Sequence, residues 1–223
     1  MQGHAILFSE MIPPPGEDAQ FNAWYDEDHI PVRMAAPGFV SGQRYRRTDG
    51  PEYLAVYEVD ALSAFSTPEY GKIKASPTDL TRHMLSHVSG FTRYLGEEVD
   101  VVRQPEGETL DAPILYAVWG NVPEQHLEEF DAWYAQDHIP ILMQTPDWRM
   151  VRRFHITGGE PVAYNRLALH YLADVRALES PERARARATE WRRRLGSEPW
   201  FKLTYSVFER LGDRQRASRG IGA

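Results

Sequence analysis

Apolar and polar positions follow the same order of strand-like and helix-like segments in each half of the chain. Four segments of the first half are rich in apolar, β-branched and aromatic residues, which predicts strands. They are "HAILFSEMI", "GFVSGQRYRRT", "EYLAVYEVD" and "GFTRYLGEEV". The second half repeats them as "APILYAVWGNV", "DWRMVRRFHIT", "NRLALHYLA" and "WFKLTYSVFERL". Helical segments follow the first and third strands, so each half is predicted to run strand–helix–strand–strand–helix–strand.

The first helical segment of each half carries the same unusual motif. "FNAWYDEDHIP" begins at Phe21, and "FDAWYAQDHIP" begins at Phe130. The offset is constant at 109 (130 − 21 and 140 − 31) between the first and last residues of the two copies. Rare residue types such as Trp, Tyr and His do not recur in register by chance, so the chain is an internal duplication. The second helical segments also correspond, because "STPEY" and "ESPER" occupy equivalent places.

The duplicated element order predicts the fold class and the domains. A βαββαβ order is typical of the ferredoxin-like arrangement, with both helices on one sheet face. The strands "LAVYEV" and "LALHYL" are apolar on both faces, so each sheet needs a second cover, and the duplicate supplies it. We therefore expect an α+β protein whose two antiparallel sheets pack as a barrel within one chain. The expected bounds are 1–104 and 113–212 for the two units, 105–112 for a linker and 213–223 for a disordered tail.

The motif places a histidine on the core-facing side of each predicted helix. Apolar and aromatic residues of the second copy recur at helical spacing, through Leu127, Phe130, Tyr134, His138 and Ile141. His29 holds the same place in the first copy. Pro31 and Pro140 should kink or end each helix just past the histidine. Burial would lower the pKa of these imidazoles, whereas a helix C-terminus or a neighbouring carboxylate would raise it, so the direction of the shift stays open.

Asp28 and Asp137 directly precede the two histidines and project about 100° away from them on a regular helix. They would either cap backbone groups near the kink or hold the imidazole. The histidines are candidate general acids or bases, because an imidazole titrates near neutral pH. The aspartates are candidates for orienting them.

Further candidates for binding a substrate lie on the motif helices and on the second and third strands. The second half offers more histidines, which favours it as the working half. The third-strand Tyr57 of the first half aligns with His170. The substrate-binding candidates are Trp133, Tyr134, Trp24, Tyr25, Arg153, His155, His170, Arg44 and Tyr45.

Composition and charge exclude several classes of function. The formal net charge of −7 argues against a nucleic-acid partner, and no apolar run is long enough to cross a membrane. Without cysteine there are no disulfides or thiolate metal sites, which fits a cytoplasmic protein. The arginine-rich segment 181–194 is predicted to be a solvated helix whose inner face carries Ala184, Ala188, Trp191 and Leu195. No His-based metal signature and no glycine-rich phosphate loop is present, and "TGGEP" (157–161) is interpreted as a turn. We therefore expect neither a metal nor another cofactor.

The segments "WYDEDHIP" and "WYAQDHIP", early in each βαββαβ unit, resemble the EthD-like branch of the dimeric α+β barrel superfamily, here as a fused tandem pair. Relatives include cofactor-free muconolactone isomerases, polyketide cyclases and dehydratases, and cofactor-free monooxygenases. The resemblance implies a pocket for a hydrophobic, often aromatic or lactone-like molecule, with His29 and His138 among its polar groups. The fold alone does not fix the activity.

These observations predict a cofactor-independent lyase or isomerase that acts by histidine acid–base catalysis on a small hydrophobic metabolite. The first alternative is a cofactor-free monooxygenase of phenolic substrates. The second is a non-catalytic binding or stress-response protein that uses the same cavity. Exposed sheet edges would also allow a homodimer.

Overall fold

The computed structural model describes residues 2–105 and 109–218. Across these residues the chain forms eight strands: β1 Ala5–Met11, β2 Phe39–Arg47, β3 Tyr53–Val59, β4 Arg93–Arg103, β5 Ile114–Gly120, β6 Trp148–Glu160, β7 Arg166–Leu172 and β8 Leu203–Arg216. Their hydrogen-bonded order is β1-β3-β2-β8-β5-β7-β6-β4, a closed barrel. The predicted α+β class with an intrachain barrel is confirmed.

The helices of the described residues are mostly short. They are α1 Asp18–Trp24, α2 Ile30–Met34, α3 Pro68–Ala75, α4 Asp79–His87, α5 Leu127–Trp133, α6 Ile139–Leu142, α7 Pro181–Ala188 and α8 Glu190–Gly196. Short 3₁₀ segments occupy Leu62–Ser66, Glu124–His126 and Val175–Glu179. None of the described helices has both the length and the apolar character that crossing a bilayer requires.

The described chain forms two compact units. Unit 1 comprises the described parts of Met1–Glu97, Thr157–Pro161 and Leu211–Ala223, and unit 2 comprises Glu98–Ile156 and Val162–Arg210, within the same limits. These bounds differ from the predicted ones because β4, β6 and β8 run further than their apolar patterns indicate. The "TGGEP" segment is therefore not a turn, since 157–160 continue β6.

Part of the predicted disordered tail is also ordered. Residues 213–216 belong to β8, whose extra length the polar sequence there did not reveal. Residues 219–223 of that tail, and 106–108 of the predicted linker, lie outside the described residues.

Unit 1 has the strand order of a ferredoxin-like unit. β1 pairs antiparallel with both β3 and β4, and β2 pairs with β3. The aromatic face of α1 packs on this sheet, with the ring of Phe21 5.4 Å from that of Tyr53. Phe21, Trp24 and Tyr25 are all buried, because the helical spacing that predicted a core-facing stripe holds over α1.

Unit 2 repeats this arrangement. β5 pairs antiparallel with β7 and β8, and β6 pairs with β7. Phe130 and Trp133 of α5 are buried in a cluster with Trp148 and Phe201. The third strands of the two units pair in the same register. Tyr116 of β5 lies opposite His170 of β7, as Leu7 of β1 lies opposite Tyr57 of β3.

The arginine-rich segment is not one helix, contrary to the sequence prediction. α7 ends at Ala188, and Thr189 is extended (ψ 155°) before α8 begins. The hydroxyl of Thr189 accepts a hydrogen bond from the backbone N–H of Arg192, so Thr189 is the N-cap that starts the new helix. This break rotates the inner face: Ala186 is buried, whereas Ala184 and Ala188 are exposed.

Candidate active site

The helix of the second motif changes its hydrogen-bond pattern where the histidine lies. α5 ends at Trp133, and Tyr134–His138 forms one π-helical turn before α6. The backbone N–H of Ile139 donates to the carbonyl of Tyr134, five residues earlier. Pro140 has no N–H and leaves a carbonyl of the preceding turn without its usual partner, so regular α-helix gives way here. Such π turns are frequent at functional sites.

The first motif has the same π turn over Tyr25–His29, beside a cavity of about 360 Å³ in unit 1. The polar and charged residues in its wall are Ser9, Tyr25, Asp28, His29, Arg33, Tyr57, Tyr70, Lys74, Ser76, Thr78, Thr81 and Arg93. His29 is almost fully buried, with its ring 4.2 Å from that of Trp24. Neither Nδ1 of His29 nor the hydroxyl of Tyr57 has a hydrogen-bond partner within the described residues.

His29 is held in its neutral form. Burial, followed by the positive charges of Arg33 and Arg44, lowers the pKa of His29 well below its usual value. Burial also raises the pKa of Tyr25 to about 12. Both groups are therefore uncharged at neutral pH, the histidine as a potential base and the phenol as a hydrogen-bond donor.

A second cavity of about 400 Å³ lies beside the second motif in unit 2. Its wall residues are Tyr116, Val118, Trp133, Tyr134, His138, Leu142, Trp148, His170, Arg183, Arg187, Arg192, Phe201, Lys202, Leu203 and Tyr205. The wall thus joins the motif histidine to the third-strand histidine, as the sequence alignment of the two halves suggested. The buried indole N–H of Trp133 has no hydrogen-bond partner within the described chain.

His138 presents one ring nitrogen as a free base. Its Nδ1 lies 3.4 Å from the carbonyl oxygen of Ala186. A carbonyl can only accept, so Nδ1 carries the proton in this contact and Nε2 keeps its lone pair. Burial lowers the pKa of His138 to about 4; the contact with Ala186 opposes this shift, and the charges of Arg192, Arg183 and Arg187 add to it. His138 is therefore neutral at pH 7, which settles the direction that the sequence left open.

A short chain of hydrogen bonds fixes the tautomer of His170. The indole N–H of Trp148 donates to Nδ1 of His170 at 3.0 Å. The proton of the neutral ring is then on Nε2, which lies 3.4 Å from the hydroxyl of Tyr134. If Nε2 donates, the hydroxyl proton of Tyr134 remains free for another acceptor. Burial keeps the pKa of His170 low and that of Tyr134 high, so both groups stay neutral.

The two aspartates bind threonines and do not hold the imidazoles. Oδ2 of Asp28 accepts hydrogen bonds from the hydroxyls of Thr78 (3.1 Å) and Thr81 (2.8 Å). In unit 2, Oδ2 of Asp137 accepts from the hydroxyl of Thr189 at 2.6 Å. Thr78 and Thr189 are the N-caps of α4 and α8. Each aspartate thus ties the motif helix to a capping threonine, because its side chain projects away from the histidine.

Arg44 and Arg153 on the second strands are structural and lie outside the walls of the two cavities. Nε of Arg153 donates to Asp100 at 2.9 Å, and its Nη1 donates to the backbone carbonyl of Asp131. Nη1 of Arg44 contacts Asp26 at 3.0 Å. His155 lies further out on β6 and is exposed, 3.7 Å from Asp131.

Two further predicted wall residues belong to the core. The N–H of Trp24 donates to the hydroxyl of Thr81 at 2.9 Å, which ties α1 to α4. Tyr45 is buried, and by strand alternation it faces away from its neighbour Arg44 and so from the motif helix. Of the predicted residues, the walls of the two cavities contain Tyr25, Asp28, His29, Trp133, Tyr134, His138 and His170.

The sequence analysis missed the positive charges of the second cavity. Arg183, Arg187 and Arg192 were interpreted as solvated, and Lys202 was not considered. All four line the cavity. The match between "STPEY" and "ESPER" could have revealed part of this, because it places Arg183 where unit 1 has Tyr70, a residue of the first cavity wall.

The described residues contain no group of three His, Asp or Glu side chains placed to hold a metal ion. His138 and His170 share one cavity, but His155 lies apart from them, so the three histidines of unit 2 do not converge. The absence of a cofactor stays a prediction.

Neither the models of known protein families nor the curated protein sequences contain a match to this chain. Solved structures do resemble it. An anthrone oxidase-like protein has a TM-score of 0.68 at 12% identity, covering 100% of this chain and 97% of its own. A candidate monooxygenase from Fusobacterium nucleatum subsp. nucleatum has a TM-score of 0.61 at 10% identity, covering 97% of this chain and 96% of its own.

Chlorite dismutase from Candidatus Nitrospira defluvii has a TM-score of 0.57 at 10% identity, covering 94% of this chain and 92% of its own. These identities are too low to transfer an activity, and the EthD-like branch stays a prediction. What the chain shares with these proteins over nearly its whole length is the dimeric α+β barrel (ferredoxin-like) fold.

Proposed function

We propose that the cavity of unit 2 is the active site of a cofactor-independent enzyme that removes a proton from a small hydrophobic, aromatic metabolite. The observation that carries this proposal is the state of His138. The ring is neutral at pH 7, Nδ1 faces a carbonyl, and Nε2 is left as a base in the wall of an aromatic cavity. An unprotonated imidazole can accept a proton from a carbon acid or a phenol, and the negative charge that develops on the substrate beside the ring would raise the pKa of His138 from its low value in the empty site.

The remaining wall groups suit the charge that proton abstraction creates. When His138 takes the proton, the electron pair stays on the substrate as an enolate or phenolate. The hydroxyl of Tyr134, whose oxygen lies 3.4 Å from His170, can donate to the new oxyanion. The protonated His138 then returns the proton to a different carbon, which gives isomerisation, or to a leaving hydroxyl, which gives dehydration. Both outcomes match the lyase or isomerase predicted from the sequence.

The second candidate, a cofactor-free monooxygenase, is favoured by two of the similar structures, an anthrone oxidase-like protein and a candidate monooxygenase. It would begin with the same deprotonation. The carbanion of a CH₂ group beside a phenolic ring would then give its electrons to O₂. One oxygen atom would become the new carbonyl, and the other would leave as water with the two hydrogens of the CH₂ group. Oxygen uptake that depends on substrate separates this reaction from lyase or isomerase chemistry.

The decisive experiment compares two matched histidine variants after a substrate has been found. Aromatic catabolites and polyketides are screened for a change of mass, with and without oxygen. His138→Ala should then lower kcat/KM by about a hundredfold or more while the melting temperature stays nearly unchanged. His29→Ala, the corresponding change in unit 1, is the control and should have a much smaller effect on the rate.

Two outcomes would contradict the assignment. In the first, His138→Ala lowers the melting temperature strongly, but the fraction that remains folded keeps the wild-type rate. This result would show that the imidazole serves packing and not catalysis. Tight binding of an aromatic ligand without turnover under any condition would favour the non-catalytic alternative. The predicted homodimer is a separate question, which light scattering of the purified protein answers.

A further inference from the structure

Four positively charged side chains line the cavity of unit 2 without a carboxylate partner within the described residues. They are Arg183, Arg187, Arg192 and Lys202. The contacts that they do make are with neutral groups. Arg183 donates to the backbone carbonyl of Leu178 at 2.6 Å, and the guanidinium of Arg192 lies 4.5 Å from the ring centroid of Phe201. The wall residues of this cavity include no Asp or Glu.

Two of the three arginines elsewhere on the same helices are paired with carboxylates, whereas the exposed Arg193 contacts the backbone carbonyl of Ala188. Arg185 of α7 lies 3.6 Å from Glu182, and Arg194 of α8 lies 2.6 Å from Glu129. The chain is also acidic, with a formal net charge of −7, so carboxylates are not scarce. Of the arginines on these two helices, all three in the cavity wall lack a carboxylate partner in the described chain, whereas two of the three outside it have one.

This concentration of charge is unfavourable without an anion. Arg183 and Arg192 are half-buried, whereas Arg187 and Lys202 are exposed. Like charges that line one cavity repel each other, and for the two half-buried arginines the partial loss of water adds to the cost. Arg192 shows both effects, because burial, and then the charge of Arg187, lowers the pKa of its guanidinium. An anionic group in the cavity would relieve the repulsion and would accept charge-assisted hydrogen bonds.

The rest of the wall is aromatic and offers a further donor. Tyr116, Trp133 and Trp148 line the cavity, and the buried N–H of Trp133 has no hydrogen-bond partner within the described chain. Flat apolar surfaces bind a flat apolar molecule, and a free buried N–H binds an acceptor oxygen.

We propose that the ligand of this cavity is an aromatic carboxylate, whose ring packs on the aromatic wall and whose carboxylate binds among Arg187, Arg192 and the neighbouring cations. The proposal rests on the function proposed above and names the substrate class of the same site. It also separates two tasks. The arginines hold the charge that the substrate already carries, and His138, which stays neutral, is left to take the proton.

Unit 1 provides the contrast. At the third position of α3 it has Tyr70, where α7 has Arg183. Three residues after the N-cap it has Thr81, where unit 2 has Arg192. The wall of the first cavity contains three cations, Arg33, Lys74 and Arg93, together with the carboxylate of Asp28. The wall of the second cavity contains four cations and no carboxylate, so its excess of positive charge is larger and favours an anion more strongly.

The test measures binding, so it does not depend on turnover. Isothermal titration calorimetry compares 1-naphthoate with 1-naphthamide, which has nearly the same shape and no charge. The naphthoate should bind at least about tenfold more tightly, as expected for a hydrogen-bonded charge in a partly buried site. Raising NaCl from about 0.05 M to about 0.5 M should weaken only the naphthoate complex.

Three variants locate the site. Arg187→Gln and Arg192→Gln should each weaken naphthoate binding by about tenfold and leave naphthamide binding unchanged. Arg185→Gln, on the same helix as Arg187 but outside the cavity wall, should change neither.

Equal affinity for the acid and the amide, or naphthoate binding that survives both cavity variants, overturns the proposal. A loss that follows Lys74→Gln instead would place the anion in unit 1 and overturn it as well. The two proposals fail differently: selective naphthoate binding without turnover leaves this one standing and removes the enzymatic one. If the protein instead turns over neutral substrates at a rate that Arg187→Gln does not change, the enzymatic proposal stands and the aromatic-carboxylate proposal fails.

Discussion

Replacing His138 with Gln should flatten part of the pH dependence of folding stability. In the folded chain the pKa of His138 is about 4, mainly because the ring is buried. In the unfolded chain it returns to about 6.5. Between these two values the unfolded state binds a proton that the folded state does not, so the free energy of unfolding falls as the pH falls. The contribution of His138 is fully present above pH 6.5 and is lost as the pH falls towards 4.

The size of this effect follows from the two pKa values. Each unit of difference corresponds to about 1.4 kcal/mol, so lowering the pH from about 7.5 to about 5 should destabilise the wild type by up to about 2 kcal/mol through His138 alone. The figure is an upper bound, because the ring lies beside a cavity from which solvent can screen it. Other buried histidines add their own pH dependence, which cancels in the comparison except for His170, because burial, and then the charge of His138, lowers the pKa of His170.

Urea unfolding followed by far-UV circular dichroism measures the difference. The free energy of unfolding of the wild type and of His138→Gln is determined at both pH values. The wild type should lose up to about 2 kcal/mol more than the variant on acidification. His138→Asn, with a shorter side chain, should behave like His138→Gln if the missing titration is the cause. Parallel stability curves for the wild type and both variants would refute the neutral, buried imidazole and, with it, the assignment of His138 as a base that is unprotonated by default.

Two further predictions concern polar contacts in unit 2. Asp137→Ala removes the acceptor for the hydroxyl of Thr189 and should lower the free energy of unfolding by about 1 kcal/mol, whereas Asp137→Asn should recover part of it; thermal denaturation measures both, and equal melting temperatures would show that the bond contributes nothing. Arg153→Met leaves Asp100 without its partner and should lower the free energy of unfolding by roughly 2–3 kcal/mol in urea. The double variant Arg153→Met/Asp100→Asn should be less destabilised than Arg153→Met alone, and a simple sum of the two single effects would argue against a direct pair.

Much of the fold was predictable because it depends on local patterns. The continuous apolar run "LAVYEV" indicated a strand buried on both faces, and the helical spacing of Phe21, Trp24 and Tyr25 is a direct consequence of backbone geometry. For the same reason the spacing placed the histidines on the inner side of the helix, where His29 is buried and His138 is half-buried. The π turn was not predicted, because a spacing of four between Tyr134 and His138 fits an α-helix equally well. The π turn differs from an α-helix only in its hydrogen bonds: the backbone N–H of Ile139 donates to the carbonyl of Tyr134, five residues earlier instead of four.

The roles of the polar residues were harder to predict, because they depend on partners distant in sequence. Asp137 meets Thr189 across 52 residues, and no local pattern joins them. Thr189 itself carried a signal that was missed, since a threonine followed by Glu190 is a common way to begin a helix. Recognising it would have divided the arginine-rich segment. Each of the two helices then has an inner face of its own, with Ala186 buried on α7 and Leu195 buried on α8.

The duplication itself separates scaffold from chemistry. Contacts found in both units are those that hold the motif helix: the aspartate bound to a capping threonine, as at Asp28 and Asp137, recurs although the surroundings differ. Positions that differ are in the cavity walls, where Thr81 corresponds to Arg192 and Tyr57 corresponds to His170. A change that serves only packing would exchange residues of similar polarity and volume. The difference between Thr81 and Arg192 is not of this kind. A cation without a carboxylate partner in the described chain destabilises the empty site, whereas a hydroxyl group does not. These divergent positions are the ones at which we propose that a ligand binds, and mutations there should alter binding before they alter folding.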